Sequence, residues 1–369
     1  MSTSGQPVTE TQLGEPGGPK RPVWGRPTSR SEVVGLVTHV FSVQALLIVT
    51  ILLVIVFAIL LPNTFLTPLT GRAIVYDKST VALLALGEMI VIATGNFDLS
   101  VGYGLGLTYI LSLVLQVHQG LPWQAAVLVT LLAGLAIGAV NGALVYYAKI
   151  DSFIATLGTG SVLYGLAQWY TNGAQVVATN LPIDFQNLNG AIILGIPVPI
   201  IYVLVIALLL WIAFEFLPVG RYLYALGSNL RAAELIGIPR GRYVMGAYIA
   251  SGLMVGIAGV LLGSELQVAQ SNVGADYLLP AFVGPLLGST TIRPGRVNVW
   301  GTLVAVLVLA VGIAGIQQFG GSFFAEPLFN GITLLVAVGL AGFAARRRAN
   351  ALTTSREAVR SSERKQEVR

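Results

Sequence analysis

From about residue 40 to residue 345 the chain alternates long apolar runs with short polar breaks. The runs are about 17 to 25 residues long, the length a helix needs to cross a hydrocarbon layer of about 30 Å. They are continuous rather than alternating, and lipid cannot satisfy loose backbone polar groups. The pattern therefore predicts helices, not barrel strands. Ten segments are expected, at roughly 41–61, 79–95, 99–117, 123–147, 153–171, 195–216, 243–264, 278–290, 297–318 and 327–345. The eighth is short and contains Pro285 and Gly288, which marks it as a half or re-entrant helix. Gly134, Gly138 and Gly142 in one span, and Gly252, Gly256, Gly259 and Gly263 in another, recur every three or four residues. Such spacing lines small residues along one face, where helices approach closely. Hinge motion is the alternative reading.

Two polar islands interrupt the pattern. The first, Val219–Arg242, carries Arg221, Arg231, Glu234, Arg240 and Arg242 between two apolar segments. Ser228 or Asn229 is a candidate N-cap, LRAAELI contains good helix formers, Gly237 fits a C′ position and Pro239 stops continuation. A helix of about two turns is marginal in water without a partner, so something outside this chain is expected to hold it. The second island, Thr94–Gly102 (TGNFDLSVG), places Asp98 between spans with Asn96 and Ser100 as neighbours. A carboxylate at membrane depth is costly and is paired, solvated or functional. Asp98 has three readings: a cap for the helix beginning near Leu99, a member of a hydrogen-bonded gate, or a direct solute contact. Glu88, inside the preceding span, poses the same question.

The stretches ALGEMIVIATGNFDLSVGYGLG and AFVGPLLGSTTIRPGRVNVWGT both run helix, glycine-containing break, helix. They hint at the duplicated broken helices of transporters. Two outward loops, Asn172–Ile192 and Glu265–Tyr277, are polar. They either face a partner or the mouth of a pathway, or simply cap helix ends in water.

Composition sharpens the class. Of 369 residues 55% are hydrophobic and 10% charged, far below the roughly 25% charged of soluble domains. The net charge of +5 does not indicate nucleic acid, because the basic residues cluster in the tails and a few loops, as topology signals do. The expectation is an all-α polytopic membrane protein with both termini cytoplasmic. Residues 1–40 form a disordered cytoplasmic tail in which Lys20, Arg21, Arg26 and Arg30 hold the N-terminus inside. Neither the apolar h-region nor the cleavage site of a signal peptide appears near the start. Residues 41–345 form the membrane domain with a loop at 217–242, and 346–369 a basic cytoplasmic tail that meets anionic lipid. The absence of cysteine removes thiolate metal sites and disulfides.

Enzyme signatures are missing. His39 and His118 make no metal-binding pattern, so no metal site is expected. No glycine precedes Lys20, Lys78, Lys149 or Lys365, so there is no phosphate-binding loop. No span carries an arginine ladder, a carbonyl filter sequence or a chain of proton-relay residues. What remains is a pore-like protein without its own energy source and with a helix that needs a partner.

At this point the motifs match a known family. TGNFDLSVG resembles the TGGIDLSVG-type signature of sugar-importer permeases in bacterial ATP-binding-cassette systems, the ribose, xylose and galactose group. NGALVYYAKIDSFIATLGTGSVLYGLA, VGRYLYALGSNLRAAELIGIPRGR and RPGRVNVWGT resemble three further stretches of that family, in the same order along residues 40 to 345. The resemblance implies a non-enzymatic permease in the bacterial cell membrane that pairs with a second permease copy. It implies an ATPase with two nucleotide-binding domains that uses ATP and Mg, so this chain binds no cofactor itself. It also implies an extracytoplasmic solute-binding protein. The coupling role falls on Ser228, Asn229, Arg231, Ala232, Glu234, Leu235, Ile236 and Gly237. Asn96, Phe97, Asp98, Ser100, Trp169 and Glu88 become candidates for the path or gate. Tyr103 and Tyr170 are further aromatics near it, although packing or an interfacial belt explains any single ring. Asn96-Phe97, Pro285 and Arg293-Pro294 depart from the family pattern and leave the solute open. An ion-coupled transporter working through Asp98 or Glu88, and a non-transporting scaffold, are the competing readings.

Overall fold

The computed structural model describes residues 30–321, 324–336 and 338–339, with side chains from Gln44 onward except residue 45. Of the tail expected to be disordered over 1–40, residues 30–40 are instead the start of a helix, Arg30–Leu60; residues 1–29, the tail at 346–369 and the end of the tenth segment lie outside the described residues. Helices cover the expected runs: α1 Arg30–Leu60, α2 Pro68–Ile92, α3 Val101–Val117, α4 Trp123–Tyr146, α5 Ser152–Thr171, α6 Ile183–Gly190 and α7 Val198–Glu215. They are followed by α8 Pro218–Ser228, α9 Leu230–Leu235, α10 Arg240–Leu266, α11 Val273–Asp276, α12 Leu278–Gly288 and α13 Val299–Gln318, then by α14, Ala325–Val336. Four of them, α4, α7, α10 and α13, are long and apolar enough to cross a membrane. The protein is an all-α membrane protein. Two short antiparallel ladders are added, β1 Val176–Val177 with β4 Val268–Ala269, and β2 Ile192–Ile193 with β3 Ile196–Pro197.

From Ser42 onward the described helices pack as one unit, organised on α10. The 27 residues of α10 extend about 40 Å at about 1.5 Å per residue. One face meets α4: a methyl on Gly252 would overlap the Gly134 carbonyl, and one on Gly138 the Tyr248 carbonyl. A second face meets α3, where a methyl on Gly259 or Gly263 would strike Thr108 or Ser112. Thr108 Oγ1 also donates to the Val255 carbonyl at 3.2 Å. The glycine stripes are thus surfaces of close backbone approach, which lets dispersion contacts and hydroxyl bonds hold helices where no hydrophobic driving force separates them from lipid.

The eighth expected segment is α12, 11 residues with Pro285 inside. At about 16 Å it is a half-helix, and the chain then turns through residues 289–298 into α13. At the Leu266 end of α10 the two polar loops join each other. The β1–β4 ladder links them, Tyr109 donates to the Val268 carbonyl at 3.0 Å, and Ser264 Oγ accepts the Asn189 N–H at 3.1 Å. These loops fold against each other while most residues of Asn172–Ile192 remain exposed.

Gly252→Ala should therefore cost roughly 1–3 kcal/mol by overpacking. Gly246→Ala on the same helix, with no atom near the added methyl, should be neutral or mildly stabilising. Thermal unfolding of the two purified variants in detergent measures the difference; equal melting temperatures would refute the close-contact account.

Candidate functional site

The break between α2 and α3 lies between packed helices, and the N–H groups just before α3 are met by side chains, four in a row. Phe97 N–H donates to Ser152 Oγ at 3.3 Å, Asp98 N–H to Glu88 Oε1 at 3.2 Å, Leu99 N–H to Thr156 Oγ1 at 2.9 Å, and Ser100 N–H to Asp98 Oδ1 at 3.1 Å. The same Asp98 oxygen accepts the Ser100 hydroxyl at 2.6 Å and the Asn141 amide at 3.3 Å. Asn141 also donates to Ser100 Oγ at 2.6 Å and accepts from Thr159 Oγ1 at 2.6 Å. Tyr248 closes the cluster by donating to the Phe97 carbonyl at 2.9 Å. Residues of α2, α4, α5 and α10 thereby converge on four residues of loop.

Of the path candidates, Glu88, Asp98 and Ser100 come together and are buried, Asp98 at 2% exposure. Asp98 joins the network and accepts the N–H of Ser100, the residue before α3, while no side-chain bond caps α3 itself. The helix begins at Val101, two residues later than the expected start near Leu99. Asn96 and Phe97 sit at the loop's surface: Asn96 donates to Thr94 Oγ1 at 2.8 Å, and Phe97 stacks on Phe282 with centroids 6.2 Å apart. Trp169 is elsewhere, 75% exposed, ten residues beyond Thr159 and so about 15 Å farther along α5. Tyr103 pairs with Tyr164 at 5.9 Å, and Tyr170 is half-buried against the main core.

Sequence reasoning missed Asn141, Ser152, Thr156, Thr159 and Tyr248. Their signal was present, since a polar residue inside an apolar run needs a partner. It also missed Asn298, the N-cap of α13, which plays the corresponding part at the second break. Asn298 Oδ1 accepts the Gly301 N–H at 2.7 Å, and its amide donates to the Gly288, Thr291 and Arg296 carbonyls at 3.2–3.3 Å.

The charged island forms two helices, not the single one expected. In α9 the cap is Asn229, whose Oδ1 accepts the Ala232 N–H at 3.0 Å. Ser228 instead donates to the Ala225 carbonyl at 3.1 Å. Gly237, at φ +83°, ends the helix in a Schellman motif: its N–H donates to the Glu234 carbonyl at 3.0 Å and that of Ile238 to the Ala233 carbonyl at 3.1 Å. Ala233 and Ile238 pack on Leu226. Glu234 faces Arg240 at 3.8 Å, while Arg231 and Ala232 are exposed. Leu235 and Ile236 stand 83% and 75% exposed.

The preceding helix, α8, touches both breaks. A methyl on Gly227 would overlap the Ala93 carbonyl and lie 3.0 Å from Gly95 N. Tyr224 donates to the Val297 carbonyl at 2.7 Å, with the Arg296 guanidinium 3.8 Å over its ring. Arg293 in the same turn holds Glu215 at the end of α7.

Asp98→Ala and Asn141→Ala should each destabilise by about 1–3 kcal/mol and should couple in a double-mutant cycle by about 1 kcal/mol or more. Trp169→Ala should stay within about 0.5 kcal/mol of the parent. Unfolding titrations read all four, and additive losses at Asp98 and Asn141 would contradict a shared network.

The family model described as branched-chain amino acid transport system / permease component matches residues 72–341. The ribose import permease of Bacillus subtilis is 36% identical over 287 residues, 78% of this chain and 88% of that protein. The D-allose transport system permease of Escherichia coli is 30% identical over 289 residues, 78% of this chain and 88% of that one. An Escherichia coli autoinducer 2 import system permease is 31% identical over 266 residues, 71% and 80% of the two chains. No solved structure matches. The chain belongs to this permease family, whose members are multi-pass transport subunits of the bacterial cell membrane and not enzymes, as the motif resemblance implied.

Proposed function

We propose that the chain is the membrane-spanning subunit of an ATP-driven importer for a neutral monosaccharide or a similar small polar solute. In this reading ten segments cross the membrane with both termini in the cytoplasm, and the island at residues 217–242 faces the cytoplasm. There α9 seats in a groove of an ATPase carrying two nucleotide-binding domains, which uses ATP and Mg. An extracytoplasmic binding protein delivers solute, and a second permease copy completes the path.

The observation that carries this reading is α9 itself: capped at both ends, with Leu235 and Ile236 left exposed by the described residues and Arg231 beside them. A short stiff helix moves as a rigid body when its partner closes. Through α8 that movement reaches Gly95 and Val297, hence both helix breaks. The relatives' solutes, ribose, D-allose and autoinducer 2, support the class.

In proteoliposomes with the cognate ATPase and binding protein, D-ribose, D-allose or a related sugar should accumulate only with ATP, and an ionophore should not prevent it. Glu234→Ala, Arg231→Ala and Leu235→Asp should lower solute moved per ATP hydrolysed by about tenfold, the scale of an interface anchor, with membrane insertion intact. Unchanged transport in all three would sink the coupling assignment.

Gly227→Val should also uncouple, because the added side chain separates α8 from the 93–95 backbone. Transport per ATP should fall about as far as in the α9 variants, although Gly227 need not touch the ATPase. A fully coupled Gly227→Val complex would remove this route.

One observation favours a second reading, ion coupling. Among the described residues Glu88 Oε2 is buried without a partner, beside Asp98, as a carboxylate awaiting a cation would be. Uptake that needs no ATP and collapses with an ionophore would select it.

A further inference from the structure

The Leu266 end of α10, opposite the α9 end, holds a cavity of about 640 Å³, within the roughly 300–1,000 Å³ of small-molecule sites. It lies between α2, the α11–α12 half-helix and α14. Two observations distinguish it from a solvated crevice. Lys78, 9% exposed, lines it and holds Asp77 at 2.6 Å and Glu326 at 2.9 Å, so an ammonium and two carboxylates are fixed at its wall. Asn330, 2% exposed, also lines it, and among the described residues its buried Oδ1 has no hydrogen-bond partner. A buried acceptor left unpaired costs about 1–3 kcal/mol, and a hydroxyl bound in the cavity would satisfy it once the side chain turns its amide oxygen toward the cavity.

We propose that this cavity is a solute-docking site on the permease's outer side, shaped for a neutral polyhydroxylated molecule. The proposal rests on the importer reading above for its orientation, since a cytoplasmic α9 places this end outside, where a binding protein releases its cargo. The chemistry selects the class. Three carboxylates, Asp77, Asp276 and Glu326, face one ammonium, Lys78, so a phosphorylated or carboxylate-bearing solute meets net repulsion. Sugar hydroxyls donate to carboxylates and to Asn330 Oδ1, and accept from Lys78. Val81, Leu279 and Pro280 offer apolar surface to the C–H face of a ring. One ammonium does not neutralise three carboxylates, so the wall keeps a net negative charge that a cation would also seek, and choline is the competitor that tests recognition of a neutral solute.

The chain contains no cysteine, so a single Ala275→Cys, at an exposed position lining the cavity, reports occupancy. The full-length permease with its ATPase in nanodiscs is treated with a membrane-impermeant methanethiosulfonate, without ATP or binding protein. Millimolar D-ribose or D-allose should slow modification by about threefold or more, while D-ribose 5-phosphate and choline should not. Adding Asn330→Leu, or the gentler Asn330→Ser should the first not fold, should remove the protection, as loss of one hydrogen bond is worth about threefold to tenfold. The site is overturned if neither sugar protects, if ribose 5-phosphate or choline protects better, or if protection survives the Asn330 substitution. ATP-driven sugar uptake without protection would reject this site and spare the importer reading. Protection without ATP-driven uptake would do the reverse.

Discussion

Four consecutive backbone N–H groups, at residues 97–100, are all satisfied by side chains at a break between helices, and much of the arrangement follows from that. The loop that leads into α3 runs between packed helices, so its donors take acceptors from α2 and α5, Glu88, Ser152 and Thr156, and from Asp98 within the loop. Each acceptor then needs its own position fixed. Thr156 donates to the Ser152 carbonyl at 2.7 Å, and Asp98 is held by Ser100 and Asn141. Removing one member leaves several groups unpaired in a low-dielectric interior, where each costs more than it would in water.

The second break solves the same problem more economically. Asn298 alone caps α13 and gathers three carbonyls of the preceding turn. That both breaks rest against α8 gives the helix its importance. Gly227 touches the first through backbone atoms and Tyr224 the second through a hydroxyl and a cation–π contact. Backbone contact at a glycine has no side-chain freedom to absorb displacement, so movement of α8 passes to residues 93–95 rather than being lost in rotamers.

The helices were legible in the sequence because lipid imposes length and continuity on apolar runs. α7, α10 and α13 match their expected segments within a few residues. The caps of α9 were legible because Asn229 and Gly237 act on neighbours in the chain. The division into α8 and α9 was not: GRYLYALG reads as a continuous lead-in, and only the extended backbone at Asn229, with φ −156° and ψ 94°, separates the two. The partners of the 97–100 backbone were invisible for another reason. Ser152 and Tyr248 lie 55 and 151 residues away from Phe97, and no local pattern pairs a hydroxyl with a distant N–H. Hydropathy could mark Asn141 as costly in a span, but not say what it serves.

Rigid and movable parts can be told apart on the same grounds. α3, α4 and α10 meet through glycine faces that tolerate no added methyl, and they share the Asp98 cluster, so sliding one past another breaks contacts and hydrogen bonds together. Such a group moves as one body or not at all. At its other end, α12 is a half-helix interrupted by Pro285, and Phe282 on it meets Phe97 only through ring stacking. Stacked rings slide at little cost compared with a buried carboxylate losing its donors. In α11, just before that half-helix, however, a methyl on Gly274 would overlap the Gly102 carbonyl of α3, so the seam between the α3–α4–α10 body and the α12–α13 pair is loose at the rings and closed at the glycines. The breaks on which α8 rests belong one to each side of that seam.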